Sequence, residues 1–120
     1  MILLDSNILI YSAQAPYAHL RPLVSSPDNC ISAFTMLEVL GFHALSAIDK
    51  TYFNSVFAVL EVKDISLTII QAAIQLRQMR KMSPGDALIA ATALQFNCEL
   101  YTRNVSDFNW IKGLTVVNPI

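Results

Sequence analysis

Nine acidic residues are spread along this 120-residue chain, and four of them stand where an acid could do chemistry. Asp5 ends the apolar run Ile2–Leu4. Glu38 follows the apolar segment Asn29–Ser32 by a few residues, in the first turn of the helix expected there. Asp86 opens an apolar helix after Ser83-Pro84-Gly85, and Asp107 follows the run Glu99–Thr102. In a parallel sheet, strand ends and the helix starts that follow them share one edge, so these four acids can converge. Carboxylates gathered in this way repel one another and raise each other's pKa unless something neutralises them. Arg103 is the only basic residue in the four local segments placed to do so. A divalent cation is the economical alternative. Ligation by carboxylate and water oxygens suits Mg²⁺ or Mn²⁺, whereas zinc would call for a Cys/His set that is missing. An ion held like this polarises phosphate and generates hydroxide from bound water, so phosphodiester hydrolysis is the expected reaction.

Each acid also has an ordinary structural role open to it. Thr35-x-x-Glu38 fits a capping box, with Thr35 as N-cap. Ser83-Pro84-Gly85-Asp86 is close to another, with Pro84 at the favoured first helical position. Asp5 or Ser6 could cap the first helix, and Asp107 could be a turn residue. Capping and catalysis are compatible, because the same hydrogen bonds hold an acid in place. Other chemistries lack their residues. Three glycines form no phosphate loop, and His19 and His43 have neither a base–orienter partner nor a nucleophile elbow.

The elements that must position these residues alternate. Short strands are expected at Ile2–Leu4, Asn29–Ser32, Val62–Ser66, Glu99–Thr102 and Leu114–Val117. Between them lie a helical stretch opened by Ser6–Asn7 and ending before Pro16, and a short helix over 17–24. A helix carrying Met36, Leu37, Leu40 and Leu45 comes next. Tyr52, Phe53, Val56, Phe57 and Leu60 then form one apolar stripe at helical spacing. A helix over 67–81 buries Ile69, Ile70, Ala73, Ile74 and Leu76, with Arg77, Arg80 and Lys81 at its C-terminal end, where cations suit the helix dipole. Asp86–Asn97 is apolar nearly all round, as a buried helix should be. The fold class is α/β, with three α/β/α layers around a central parallel sheet of about five strands.

Composition bounds the rest. The length fits a single domain spanning residues 1–120. The chain is 54% hydrophobic and only 14% charged, with a mean hydropathy of +0.47. Disorder is excluded, and apolar surface should be left over for a partner. A net charge of −1 excludes nucleic-acid binding by bulk positive charge. Cys30 and Cys98 form no metal or disulfide pattern and are expected as buried thiols in a reducing cytosol. Asp5 interrupts the first apolar run too early for a signal peptide. Glu38 lies near the centre of the only membrane candidate, Cys30–Ile48, which reads better as a buried soluble helix. A cytoplasmic protein with no membrane association is expected.

At this point the motifs resemble those of the PIN-domain family. Met-Ile-Leu-Leu-Asp5-Ser-Asn7-Ile-Leu-Ile resembles its opening strand and first acid, and Ser32-Ala-Phe-Thr35-Met-Leu-Glu38-Val its second motif. Gly85-Asp86-Ala-Leu-Ile-Ala-Ala-Thr-Ala is similar to the third, and Leu100-Tyr-Thr102-Arg-Asn104-Val-Ser-Asp107-Phe108 to the fourth. Order, spacing and length agree over the whole chain, and the pattern is nearest to VapC-type toxins of toxin–antitoxin pairs. The resemblance implies a Mg²⁺- or Mn²⁺-dependent endoribonuclease, usually a homodimer, acting on an RNA substrate and held inactive by a VapB-type antitoxin. It assigns Asp5, Glu38 and Asp86 as metal ligands, and makes Asn7 and Thr102 the polar residues around them. Asn104 stands where many relatives carry an acid, and Asp107 occupies the next acidic position. Asn104 can orient a water through its carbonyl but brings no charge, which leaves one or two ions open.

Arg77, Arg80, Lys81 and Arg103 flank the third and fourth motifs, either as phosphate contacts or as solvated side chains. Phe108 and Trp110 could stack on a base or pack in the core. A second hypothesis keeps the same fold as a binding or regulatory module with feeble catalysis. A receiver-type signalling domain needs paired acids after the first strand and a lysine after a late one, and has neither here.

Overall fold

A computed structural model describes residues 1–120. Five short strands form one parallel sheet: β1 (Ile2–Leu4), β2 (Cys30–Ser32), β3 (Glu61–Lys63), β4 (Glu99–Tyr101) and β5 (Val116–Val117), in the order β3-β2-β1-β4-β5. Successive side chains of a strand point to opposite faces. Leu3 and Cys30 therefore enter one apolar cluster, and Leu4 and Ile31 the other.

Seven helices cover the two faces: α1 (Ser6–Ser12), α2 (Arg21–Val24), α3 (Ala33–Leu40), α4 (Ala47–Val59), α5 (Leu67–Met79), α6 (Pro84–Gln95) and α7 (Val105–Phe108). Ile8, Leu9, Val24, Val39, Phe53 and Val56 from α1–α4 pack around Leu4 and Ile31. Ile69, Ala73 and Leu76 of α5 join the apolar α6 and Phe108 of α7 on the other face. The expected three-layer α/β/α arrangement is therefore present. From β1 the chain crosses to β2 on one side, while β4 lies on the other. The order reverses between β1 and β4, where a parallel sheet opens a crevice beyond its strand ends.

Several expected boundaries shift. Residues 17–24 are a 3₁₀ segment (Ala15–Leu20) running into α2. The segment Cys30–Ile48 is not one helix: it is β2, then α3, then a turn at Gly41, so Leu45 lies outside the helix assigned to it. The third strand comes earlier, at Glu61–Lys63, because Ser66 caps α5 by accepting from the Ile69 N–H. Along α5 only Ile69, Ala73 and Leu76 are buried. Ile70 and Ile74 turn outward, and Arg80 and Lys81 lie past the helix end. The buried helix expected over Asp86–Asn97 starts two residues earlier, with Pro84 and Gly85 in its first turn, and ends at Gln95.

Cys30 and Cys98 are free, buried thiols whose sulfurs lie 3.9 Å apart. No helix is long and apolar enough to cross a membrane.

Candidate functional site

The site is built outward from Asp5, which stands at the end of β1 beside the reversal of strand order. Its backbone N–H donates to the Tyr101 carbonyl of β4 at 2.9 Å, the last link of the β1–β4 ladder. Its side chain is 5% exposed. Oδ1 accepts from the Ser6 N–H at 2.8 Å and so caps α1. Oδ2 accepts from the Thr102 hydroxyl at 2.8 Å and from the Asn7 amide at 3.4 Å. Thr102, fully buried just past β4, also accepts the Asn104 N–H at 3.0 Å, while the Asn7 carbonyl accepts the Arg103 N–H at 3.2 Å. Asp5, Asn7, Thr102, Arg103 and Asn104 thus form one network that ties the end of β1 to the end of β4. The Arg103 side chain does not reach the acids. Its guanidinium lies over the Tyr11 ring, 4.9 Å from the centroid.

Glu38 comes from α3. The N-cap of that helix is Ser32, whose hydroxyl oxygen accepts the Phe34 N–H at 3.1 Å, and not Thr35. The strand runs into the helix without a loop, so the last strand residue takes the capping position. Thr35 is then a buried interior residue with an unpartnered hydroxyl, and Glu38 sits a turn deeper than a capping box would place it. The ordinary capping role is thereby removed for Glu38. It persists in part for Asp86, whose N–H donates to the Ser83 hydroxyl at 3.1 Å at the start of α6. A Cβ at Gly85 would lie 2.7 Å from the Phe34 ring, so the glycine lets the first turn of α6 close onto α3. Asp107 lies in α7, exposed, its N–H donating to the Asn104 carbonyl at 3.0 Å.

The electrostatics tie these acids together. Burial is the main cause that raises the pKa of Asp5. The Thr102 and Ser6 hydrogen bonds oppose it, and the Asp107 charge adds to it. Glu38 is raised by partial desolvation of its carboxyl and by the charges of Asp5 and Asp86, against the Ser6 hydroxyl. Asp86 is raised by burial and then by Asp5 and Asp107, against Ser83. No cation relieves this repulsion, since the only ion pair in the molecule joins Lys63 to Glu61 at 2.7 Å. As the side chains stand, no three acids, histidines or cysteines are close enough together to hold a metal ion. The donor chemistry nevertheless suits one, because four carboxyl groups that feel one another's charge, none ion-paired with a base, attract a hard divalent cation.

Two features were not read from the sequence. Ser6 acts on both Asp5 and Glu38, and its only sequence signal was its place next to the first acid. A cleft of about 530 Å³ adjoins the acids, walled by Arg77, Arg80, Lys81, Asp86, Asp107 and Trp110. Phe108 is fully buried and cannot stack on a ligand, whereas Trp110 is partly exposed. His19 and His43 are exposed, beside Tyr17 and Phe42 respectively, and stay outside the site.

A family model described as "PIN domain" matches residues 2–109. The chain belongs to the PIN domain family. Its sequence matches no curated protein. Among solved structures, this PIN domain is 32% identical to a chain of a toxin–antitoxin complex from Klebsiella pneumoniae, covering 100% of this chain and 98% of that one with a TM-score of 0.81. It shares its fold with a chain of VapBC2 from Rickettsia felis bound to a DNA fragment from their promoter (24% identity, 98% of each chain, TM-score 0.78). FitAcB from Neisseria gonorrhoeae is similar as well (24% identity, 99% and 98% coverage, TM-score 0.79).

Proposed function

We propose that residues 1–120 form one PIN-type nuclease domain, a VapC-type toxin that hydrolyses RNA phosphodiesters with Mg²⁺ or Mn²⁺. In this reading the protein is a cytoplasmic homodimer restrained by a VapB-type antitoxin. The observation that supports it is the mutual charge repulsion among Asp5, Glu38, Asp86 and Asp107 near the strand-order reversal, the first three raised in pKa and none ion-paired with a base. The 32% identity to a chain of a toxin–antitoxin complex supports the partner.

Asp5, Glu38, Asp86 and Asp107 would hold the ion, whose chemistry is to polarise phosphate and supply hydroxide from bound water. The chain's own work is positioning. Thr102 and Ser6 fix both oxygens of Asp5 by hydrogen bonds, so its orientation is set before anything binds. Asn7 locks the β4 end to α1 by donating to Asp5 and accepting from Arg103. Asn104, whose backbone carbonyl accepts the Asp107 N–H, carries an uncharged amide suited to orienting a water.

The test is cleavage of total cellular RNA by purified, antitoxin-free protein with Mn²⁺ or Mg²⁺, with EDTA, and with Asp86→Asn alongside. Discrete fragments requiring both metal and Asp86 are expected. Cleavage that persists in EDTA or in the variant overturns the metal-site assignment. No cleavage under any condition favours the alternative, a PIN fold retained for binding.

A further inference from the structure

The cleft beside Asp86 and Asp107 concentrates charge that the molecule as a whole lacks. Three of its eight basic residues, Arg77, Arg80 and Lys81, fall within five positions at the end of α5 and line this one concavity. None is paired with an acid. The Arg77 Nε–H donates to the Met82 carbonyl at 3.1 Å, which pins the side chain to the α5–α6 connection and leaves the rest of the guanidinium unspent. Opposite lies Trp110, the only tryptophan of the chain. Its indole N–H donates to the Asp107 carbonyl at 3.0 Å, fixing the ring against the element that bears one of the four acids. The Arg80 guanidinium stands 5.5 Å from the centroid of this partly exposed ring, a loose cation–π contact.

We infer that this cleft is a single-stranded RNA subsite, in which Arg77, Arg80 and Lys81 take backbone phosphates and the Trp110 ring stacks on one base next to the scissile bond. The assignment rests on the nuclease reading and names where the strand leaves the acids. Cations alone would suit any polyanion. The aromatic plane among them points to a ligand that alternates phosphate and π-face, and single strands are bound in this manner. Because Trp110 is tied to Asp107 and the cations reach the cleft next to Asp86, a nucleotide held here delivers its neighbouring phosphate to the acidic edge. Trp110 and the three cations are therefore specificity and positioning residues, and the acids remain the reacting centre.

The single tryptophan makes the site readable without turnover. In EDTA at low salt, titration of the full chain with a short single-stranded RNA is expected to quench indole fluorescence in step with binding followed by anisotropy of a labelled oligonucleotide. Arg80→Gln/Lys81→Gln, two exposed side chains past the helix end, should weaken binding on the order of tenfold and lower the salt dependence. Trp110→Phe should keep binding close to wild type but shift the preferred cleavage sequence. Binding without an indole response, or equal binding by the double variant, overturns the subsite. So does equal quenching by polyphosphate, an anion without bases. Absence of binding in EDTA overturns it as well, even where cleavage with metal upholds the nuclease. Quenching without cleavage under any metal upholds RNA binding in the cleft and overturns the nuclease reading, and with it the cleft's place beside a scissile bond.

Discussion

Asp5 concentrates the energetic conflict of the molecule into one side chain, since it is buried, hydrogen-bonded as a carboxylate and set among other acids. A carboxyl whose folded pKa lies above its unfolded value binds protons more readily in the native state. Stability is then greatest below the unfolded pKa and falls as pH rises through the folded one. Asp5, Glu38 and Asp86 all shift in this direction, from ordinary values of 3.8, 4.5 and 3.8. The metal-free protein should therefore lose stability as pH climbs from about 4 through the raised values, and Mn²⁺ should restore it. Thermal melts from acid to neutral pH, with EDTA or with Mn²⁺, measure this; a metal-free melting curve independent of pH would refute it. Asp5→Asn removes the buried charge but keeps the shape; the Thr102 hydroxyl can turn to accept from the new amide, at the cost of the long Asn7 hydrogen bond to the same position. We expect that variant to melt a few degrees higher in EDTA while losing cleavage on the order of a hundredfold or more. A second residue-scale expectation concerns Cys30, whose thiol is pushed up to about 12 by burial and by the neighbouring Cys98. A thiol so protonated is a poor nucleophile, so native Cys30 should resist a thiol reagent near pH 8 and react only on unfolding. Rapid labelling of the folded protein would contradict the packing.

At the scale of elements, the site depends on how closely the first turn of α6 approaches α3. Gly85→Ala would bring a methyl to 2.7 Å from the Phe34 ring. Overpacking of this kind costs roughly 1–3 kcal/mol, offset only slightly by the helix propensity of alanine, because position 85 lies in the first turn. The variant should melt within a few degrees of wild type yet cleave RNA more slowly, because the displacement falls between Glu38 and Asp86. An unchanged rate would show that the close approach does not set the site. Ser83→Ala removes the α6 cap, costs about 1 kcal/mol and frees the Asp86 N–H. The same elements show what the sequence made legible. Asp5 ends an apolar strand and Ser83-Pro84 opens an apolar helix, so both positions follow from local chemistry. The α3 cap was misplaced because Ser32 and Thr35 both carry a hydroxyl at a usable spacing. Only the absence of a loop after β2 selects Ser32. The outward turn of Ile70 and Ile74 was equally hidden, since an apolar stripe does not say how much of itself a neighbour covers. The basic cleft depends on the α5–α6 connection meeting the segment after α7, a contact between stretches with no shared pattern.

For the whole molecule, the two sides of the sheet differ in what they bury but agree in what they leave uncovered. On the α3–α4 side Leu37, Phe42 and Ile48 stand outside the core, with Ile48 83% exposed; on the other side α5 presents Leu67, Ile70 and Ile74, the last 50% exposed. A chain carrying 14% charged residues has little polar surface with which to break up these regions, and contiguous apolar patches on soluble proteins mark association sites. Two patches on opposite faces can serve two partners at once, which is what the proposed homodimer and antitoxin would require. Sedimentation of the antitoxin-free protein at micromolar concentration should therefore give a dimer. Ile48→Glu and Ile74→Glu each place a charge on one patch at an exposed position, where folding is indifferent to the change. One of the two is expected to yield a folded monomer, and the other to leave the dimer intact while the antitoxin no longer binds. A dimer that survives both substitutions, or a wild-type protein that sediments as a monomer, would show that these faces do not carry the assembly. The excess hydropathy of the sequence would then have no structural owner.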